Sequence, residues 1–410
     1  VRLRDIAAVF GRDILILLGL LLAAGAVGGP TRALLPIYLQ HDLAWTPPVI
    51  AAIAAMRLLA AALSAPLGGV LADTVGARRT LRLGLIGLPV AALCFLTPAW
   101  PLLVLLGLVS GLADGLQSTG SQAYLIARAD RSTIGRAASV FFIGTTLGGA
   151  LGNLVAGALL RGWGFAGLGP VGLGVGVLVL VAATALPGGE SRARSRRGEG
   201  TGALAAYRAL LHVPQVRQLA LLRFLSTCSW GATSLLWPLL IARLSGDPAT
   251  AALFGTVSLI VAVAAQLGTG HLIDTVGPTG PALVLAALVP LVAVLSVPAI
   301  TSGLLPALFA VGVAGTAVAW SLSGATLPLI RAAAPAEEVG QVVGLLHVMW
   351  SLAMLTGTLL AGWLVVAGAA LPFGAVALIA LPAIVAAYRL WRSHRPASRG
   401  TAAVETLERS

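Results

Sequence analysis

Apolar residues run along the chain in blocks long enough to cross a bilayer, separated by short clusters of Pro, Gly and charge. A helix rises about 1.5 Å per residue, so about 20 apolar residues span a hydrocarbon layer about 30 Å thick. Twelve spans are predicted, over approximately residues 14–39, 49–72, 80–97, 101–126, 138–160, 167–187, 218–242, 251–273, 280–298, 303–328, 340–365 and 368–390. Only Pro98, Trp100 and Pro101 separate the third from the fourth. The first block exceeds a signal peptide's apolar core and no clear small-residue cleavage site follows it, so it reads as a retained span.

The arginines check this count. If residue 1 lies inside, 21 arginines fall in cytoplasmic segments and 2, Arg161 and Arg243, fall on the other side. Arg32, Arg57 and Arg223 remain within spans. That asymmetry follows the positive-inside rule, and both termini are expected in the cytoplasm. The long hydrophilic stretch 188–217 divides the spans six from six. The predicted organisation is a six-helix bundle over 1–187, a central cytoplasmic loop over 188–217, a second bundle over 218–392 and a disordered tail over 393–410. The Gly/Ser/Arg-rich half of the loop reads as a flexible linker and Ala203–Leu211 as a short surface helix.

Composition agrees. Apolar residues make up 58% of the 410 and charged residues 10%, against about 45–50% and about 25% in soluble globular proteins. The chain is a multi-pass membrane protein whose expected location is the cell membrane, with the lipid bilayer as its surroundings. Its net charge of +12 comes entirely from arginine, with no lysine, and loop arginines account for it without a nucleic-acid partner. Cys94 and Cys228 lie in apolar runs without CxxC or Cys/His spacing, so neither a disulfide framework nor a metal site is indicated.

The halves repeat. Gly69-Val-Leu-Ala-Asp73-Thr-Val-Gly76 recurs as Gly270-His-Leu-Ile-Asp274-Thr-Val-Gly277, and Gly135, Gly152 and Gly157 recur as Gly340, Gly357 and Gly362. Copies six spans apart share one orientation, which makes the halves parallel repeats. In transporters built this way the substrate site lies between the repeats near mid-membrane.

The loop Gly69–Arg79, carrying Asp73, Gly76, Arg78 and Arg79, resembles the signature of the major facilitator superfamily, and the twelve spans and second copy extend the resemblance over nearly the whole chain. The resemblance implies an all-α fold of two six-helix bundles, with spans one, four, seven and ten lining the path and three, six, nine and twelve outside. It implies that Gly69, Gly76 and Arg78 shape a tight turn and that Asp73 faces a helix N-terminus of the other bundle, where the dipole favours an anion. Asp274 holds the matching position, with Pro278 and Thr279 where the arginines would lie. In span five, Gly135, Gly144, Gly148 and Gly152 follow the spacing of the signature of bacterial drug/proton antiporters. Gly149 and Asn153 stand where that pattern has a proline and a final glycine, and span four lacks the arginine that relatives carry near Gly107. Small residues also simply let membrane helices approach closely.

Asp114 is the one carboxylate deep in a span, about 20 Å from Pro101 by helical rise. Ser110, Gln117, Ser118 and Ser121 share its face and make a polar stripe. Ionisable groups at this depth face the bundle interior or water. Asp114 reads either as a proton site, neutral when dry and ionised when water enters, or as half of a fixed ion pair with an arginine. Arg32 and Arg57, about 10–12 Å from their helix ends, are candidates for that partner or for an anionic substrate group. Arg223 is expected to snorkel to the cytoplasm and His347 to pack. Trp230, Trp320 and Trp350 fall mid-span, where they form either an aromatic wall for a bulky substrate or ordinary packing.

No GxxxxGK[ST], HExxH or GxSxG motif appears. The expectation is a monomeric, non-enzymatic secondary transporter without a cofactor, drawing on the proton gradient and taking a small-molecule substrate. The leading expectation is efflux of a hydrophobic or amphipathic compound, and the alternatives are an importer or exchanger of a small nutrient and a non-transporting sensor or scaffold. Reporter fusions within 188–202 and after residue 395 are expected to report the cytoplasmic side; opposite sides would overturn the topology.

Overall fold

The computed structural model describes residues 12–128, 134–187, 203–333 and 339–394, without the side chains of 73, 126, 134–140, 203–207 and 339–341. The first half holds α1 (Arg12–His41), α2 (Pro47–Leu71), a π-helical turn (Ala72–Gly76), α3 in two pieces (Ala77–Leu85 and Gly87–Leu93) and α4 (Trp100–Arg128). The run Ile134–Ala182 follows, divided at Gly164 (φ 62°) into α5 (134–163) and α6 (165–182). A short helix, Ala203–His212, precedes α7 (Pro214–Ser245), α8 (Pro248–Val276), α9 (Thr279–Thr301), α10 (Leu305–Ala333), α11 (Val339–Ala367) and α12 (Leu371–Ser393). The second bundle thus starts at Pro214, four residues before the expected boundary, because Pro214 occupies the first helical turn, where its missing N–H costs nothing. Residues 1–11, 188–202 and the tail beyond 394 lie outside the described residues.

Breaks between helices have local causes. Gly246 closes α7 at φ 68°, and the Asp247 carboxylate accepts from the amides of Ala249 and Thr250 to cap α8. Gly76 (φ 99°) and Gly277 (φ 83°) turn the chain at the two copies of the repeated loop. Both conformations are open to glycine and strained for other residues.

The apolar cores reveal the direction of each helix and the state of the molecule. One cluster of the first half collects Leu17, Leu85, Tyr124, Phe141 and Leu186. A second, at the opposite end, collects Leu34, Phe95, Leu103 and Phe165. The chain therefore passes from one end to the other along α1, α3 and α5 and returns along α4 and α6. The reversal at Gly164 makes two crossings of the run Ile134–Ala182, so eleven long apolar runs give twelve spans. Leu34 and Phe165 share their cluster with Trp237, Phe254 and Ala361 of the second half. At the other end the second half has its own cluster, with Val216, Leu285, Leu329 and Leu345. The two bundles are joined at one face and parted at the other, and the parted face carries Arg78, Arg82, Arg128 and Arg331. Exposed Trp100, Trp163 and Trp363 ring the joined face, as aromatic belts do at a membrane surface.

Small residues set the close contacts. A Cβ on Gly148 would strike the Leu22 backbone and one on Gly152 the Ala26 carbonyl, whereas one on Gly144 would lie 3.8 Å from the nearest atom, the Leu18 oxygen. In the second half Gly357 meets the Cys228 carbonyl in the same way, so the sequence repeat is also a packing repeat. Between halves, Gly362 seats on Ala51, and Gly255 lies against the Asn153 amide nitrogen. The Asn153 carbonyl oxygen is buried there with no hydrogen-bond partner.

Gly152→Leu is expected to destabilise the protein by about 1–3 kcal/mol through overpacking, whereas Gly144→Ala is tolerated. Thermal unfolding in detergent distinguishes them, and equal losses would refute the α1–α5 contact.

Candidate substrate and proton site

The α4 backbone is gripped from two sides. Gly111 and Gly115 bring it against α2 at Arg57, Ala61 and Ser64, while Gly84, Gly87 and Gly120 bring it against α3. The Asp114–Gln117 stripe is thereby held rigidly toward the interior. A cavity there is lined by Gly28 and Arg32 of α1, Arg57 of α2 and Ser110, Asp114 and Gln117 of α4. Arg57 Nη2 lies 4.0 Å from Asp114 Oδ2, with the Asp114 side chain 42% exposed and that of Arg57 17%. The pair is thus at the long limit of an ion pair and open on the cavity side. Arg32 is exposed despite its place in mid-helix, and it lines the same cavity as Arg57 and Asp114. Its guanidinium folds over Gly28, where a Cβ would come within 3.3 Å. Among the described residues Arg32 makes no hydrogen bond or close ion pair. Ser121 is buried and donates to the Ser118 carbonyl at 3.0 Å, so it serves α4 itself; Gln117 lines the cavity.

Arg223 does not snorkel. Its Nη1 donates to Ser323 Oγ at 3.0 Å and Thr326 Oγ1 at 3.4 Å, both on α10. Two hydroxyls at one-turn spacing hold the guanidinium inward without a carboxylate, a pairing that hydropathy along one segment does not reveal.

The three tryptophans do not form one wall. Trp230 pairs with Trp237 at 6.5 Å between ring centres, and both line a second cavity with Ser226, Ser229 and Thr233 of α7. Trp350 stacks on His347 at 5.7 Å, and the buried Trp320 Nε1 has no partner. Trp237, hidden inside an apolar run, is the aromatic that sequence reading missed.

At the repeated loop, Arg78 donates to the Leu186 carbonyl at 3.1 Å, and Arg82 to the carbonyls of Ala183 at 2.9 Å and Thr184 at 2.8 Å. Two cations thus satisfy the end of α6, where orphan carbonyls and the helix dipole favour positive charge. Arg128 pairs with Asp13 nearby. Gly69 faces open space, and Arg79 and Asp274 are exposed. The Asp73 side chain lies outside the description, as does the surrounding of Gly135. Gly144, Gly148 and Gly152 occupy α5, where the last two serve its packing on α1.

A family model described as Major Facilitator Superfamily matches residues 15–327 and, in an overlapping second match, 219–409. No curated protein sequence matches the chain. Among solved structures, the nucleoside transporter NupG superposes with a TM-score of 0.71 at 15% identity, covering 94% of this chain and 100% of its own. A POT family transporter in complex with 5-aminolevulinic acid reaches 0.74 at 14%, covering 91% and 95%. One in complex with a thioalcohol-conjugated peptide reaches 0.75 at 12%, covering 93% and 96%. At these identities the likeness is one of fold.

A loose pair at this exposure contributes about 0–1 kcal/mol. Asp114→Asn is therefore expected to leave the unfolding temperature nearly unchanged, and a loss of several degrees would restore the fixed-pair reading.

Proposed function

The chain belongs to the major facilitator superfamily, and from that premise we propose that it moves a hydrophobic or amphipathic small molecule by proton-coupled alternating access, with Asp114 as the proton site. As a member it is a secondary transporter and not an enzyme. One observation carries the proton assignment: the sole carboxylate deep in a span sits half open to water, held only at 4.0 Å by Arg57. An ionised carboxylate is costly when the site dries during closure. Protonation of the Asp114 carboxyl removes that cost and frees Arg57. Rocking of the bundles about their joined face would then expose the site to the opposite side.

The first reading of direction is export of a drug or secondary metabolite in exchange for protons. The parted face is the arginine-rich one, which the positive-inside rule assigns to the cytoplasm, so a compound in the cytoplasm can reach the site. Exchange requires that substrate and proton exclude one another. A second reading, import, is favoured by the cationic excess of the site, since an acidic solute and a proton on Asp114 would bind together.

Expression in an efflux-deficient host is expected to lower accumulation of susceptible compounds, with the effect lost in uncoupler and in Asp114→Asn. Raised accumulation would overturn export in favour of import, and an unchanged profile in Asp114→Asn would remove the proton assignment.

A further inference from the structure

The cavity that holds Asp114 lies wholly within the first bundle, with walls from α1 to α5, and its charges do not balance. Two guanidinium groups, Arg32 and Arg57, line it with one carboxylate, and Arg57 stands 4.0 Å from that carboxylate. Neither arginine makes a hydrogen bond among the described residues, nor does the side chain of Gln117, a third donor in the same wall. The hydroxyls are spent on their own helices: Ser110 donates to the Gly107 carbonyl at 3.0 Å and Thr145 to the Phe141 carbonyl at 3.2 Å. Donors without acceptors are costly away from bulk water, and a cation at membrane depth needs a countercharge or hydration. The cavity therefore favours a guest that brings negative charge and acceptors.

Gly28 sets the place of one cation. The Arg32 guanidinium folds back over it, with Nη1 3.3 Å from where a Cβ would stand. Space limits the guest. The cavity encloses about 30 Å³, room for about two waters, or for the two oxygens of a carboxylate. Exposed Arg32 and partly exposed Asp114 leave it open to a larger body outside. A guanidinium fork matches a carboxylate's two oxygens in spacing and plane.

We infer that this cavity receives a carboxylate of the transported molecule, held by Arg32 and Arg57, and that the guest competes with Asp114 for Arg57. Gly28 is a positioning residue for Arg32. The inference rests on the proposed location of the transport site. Of the two readings of direction it agrees with import, because a proton on Asp114 frees Arg57 for the acid.

The test uses one aromatic ring with different head groups: benzoate, benzamide and benzylamine, each titrated calorimetrically into the purified full-length protein near neutral pH. Benzoate is expected to bind about tenfold more tightly than benzamide, with benzylamine, a cation, weakest. Arg32→Gln and Arg57→Gln should each narrow that gap. So should Gly28→Leu, which keeps both arginines but fills the space where Arg32 folds. Arg243→Gln, on the opposite membrane face, should leave the gap unchanged. Asp114→Asn should tighten benzoate severalfold and leave benzamide alone, because a competitor for Arg57 is gone. Absence of benzoate binding overturns the inference, as does equal or tighter binding of benzamide or benzylamine. So does a full preference surviving in all of the Gly28, Arg32 and Arg57 variants, or an equal loss of both ligands in them, which would mark a structural role. Benzoate binding left unchanged or weakened by Asp114→Asn also overturns it. Binding is read without a gradient, so these failures leave the proton role of Asp114 in place. An unchanged transport profile in Asp114→Asn would remove that role and leave the acid site standing.

Discussion

Fixed charge at hydrocarbon depth is the constraint around which this molecule is organised. Water is scarce there, so each guanidinium or carboxylate must face a hydrated space or a polar neighbour. The protein meets this condition in different ways in its two halves. Arg57 and Asp114 share a cavity walled by glycine-dependent contacts of α4 with α2 and α3. Arg223 instead leans on hydroxyls of α10. Helices without such charges, α3, α6, α9 and α12, pack on the periphery and present apolar residues such as Leu178, Val284 and Leu378 outward.

The distribution of apolar cores gives that charged space its access. A core shared by both halves at one face and divided at the other is a hinge-like arrangement: each bundle keeps its own packing while the seam between them opens or closes. Small side chains along the seam, at Gly157 against Ala252 and Gly362 against Ala51, bring the two halves close together. Bundles joined in this way can rock as rigid bodies, which is the motion alternating access needs.

Much of this was legible in the chain. Span number, the break near Gly164 and the inward face of α4 follow from hydropathy and from the spacing of Ser110, Asp114 and Gln117, because those signals are local. Matched glycines at 152 and 357 predicted a repeat, and each proves to cover a backbone carbonyl of the first helix in its half. Arg223 was misjudged because its partners, Ser323 and Thr326, lie about a hundred residues away in sequence, and no local rule joins them. Trp237 was missed for a related reason: whether a tryptophan lines a cavity or fills a core depends on which helices cross it. Of the α5 glycines that carry the motif resemblance, Gly148 and Gly152 pack closely against α1.

Asn153 gives the seam an uneven energy. It stands where the resemblance has a glycine, and in the joined face its carbonyl oxygen is cut off from any donor. Stranding an acceptor in this way disfavours the sealed arrangement by about 1–3 kcal/mol. Hydration of that oxygen as α5 and α8 separate would recover the loss. The Asn153 carboxamide is therefore a polar group that the joined seam leaves half satisfied among the described residues, where an all-apolar contact would carry no such penalty.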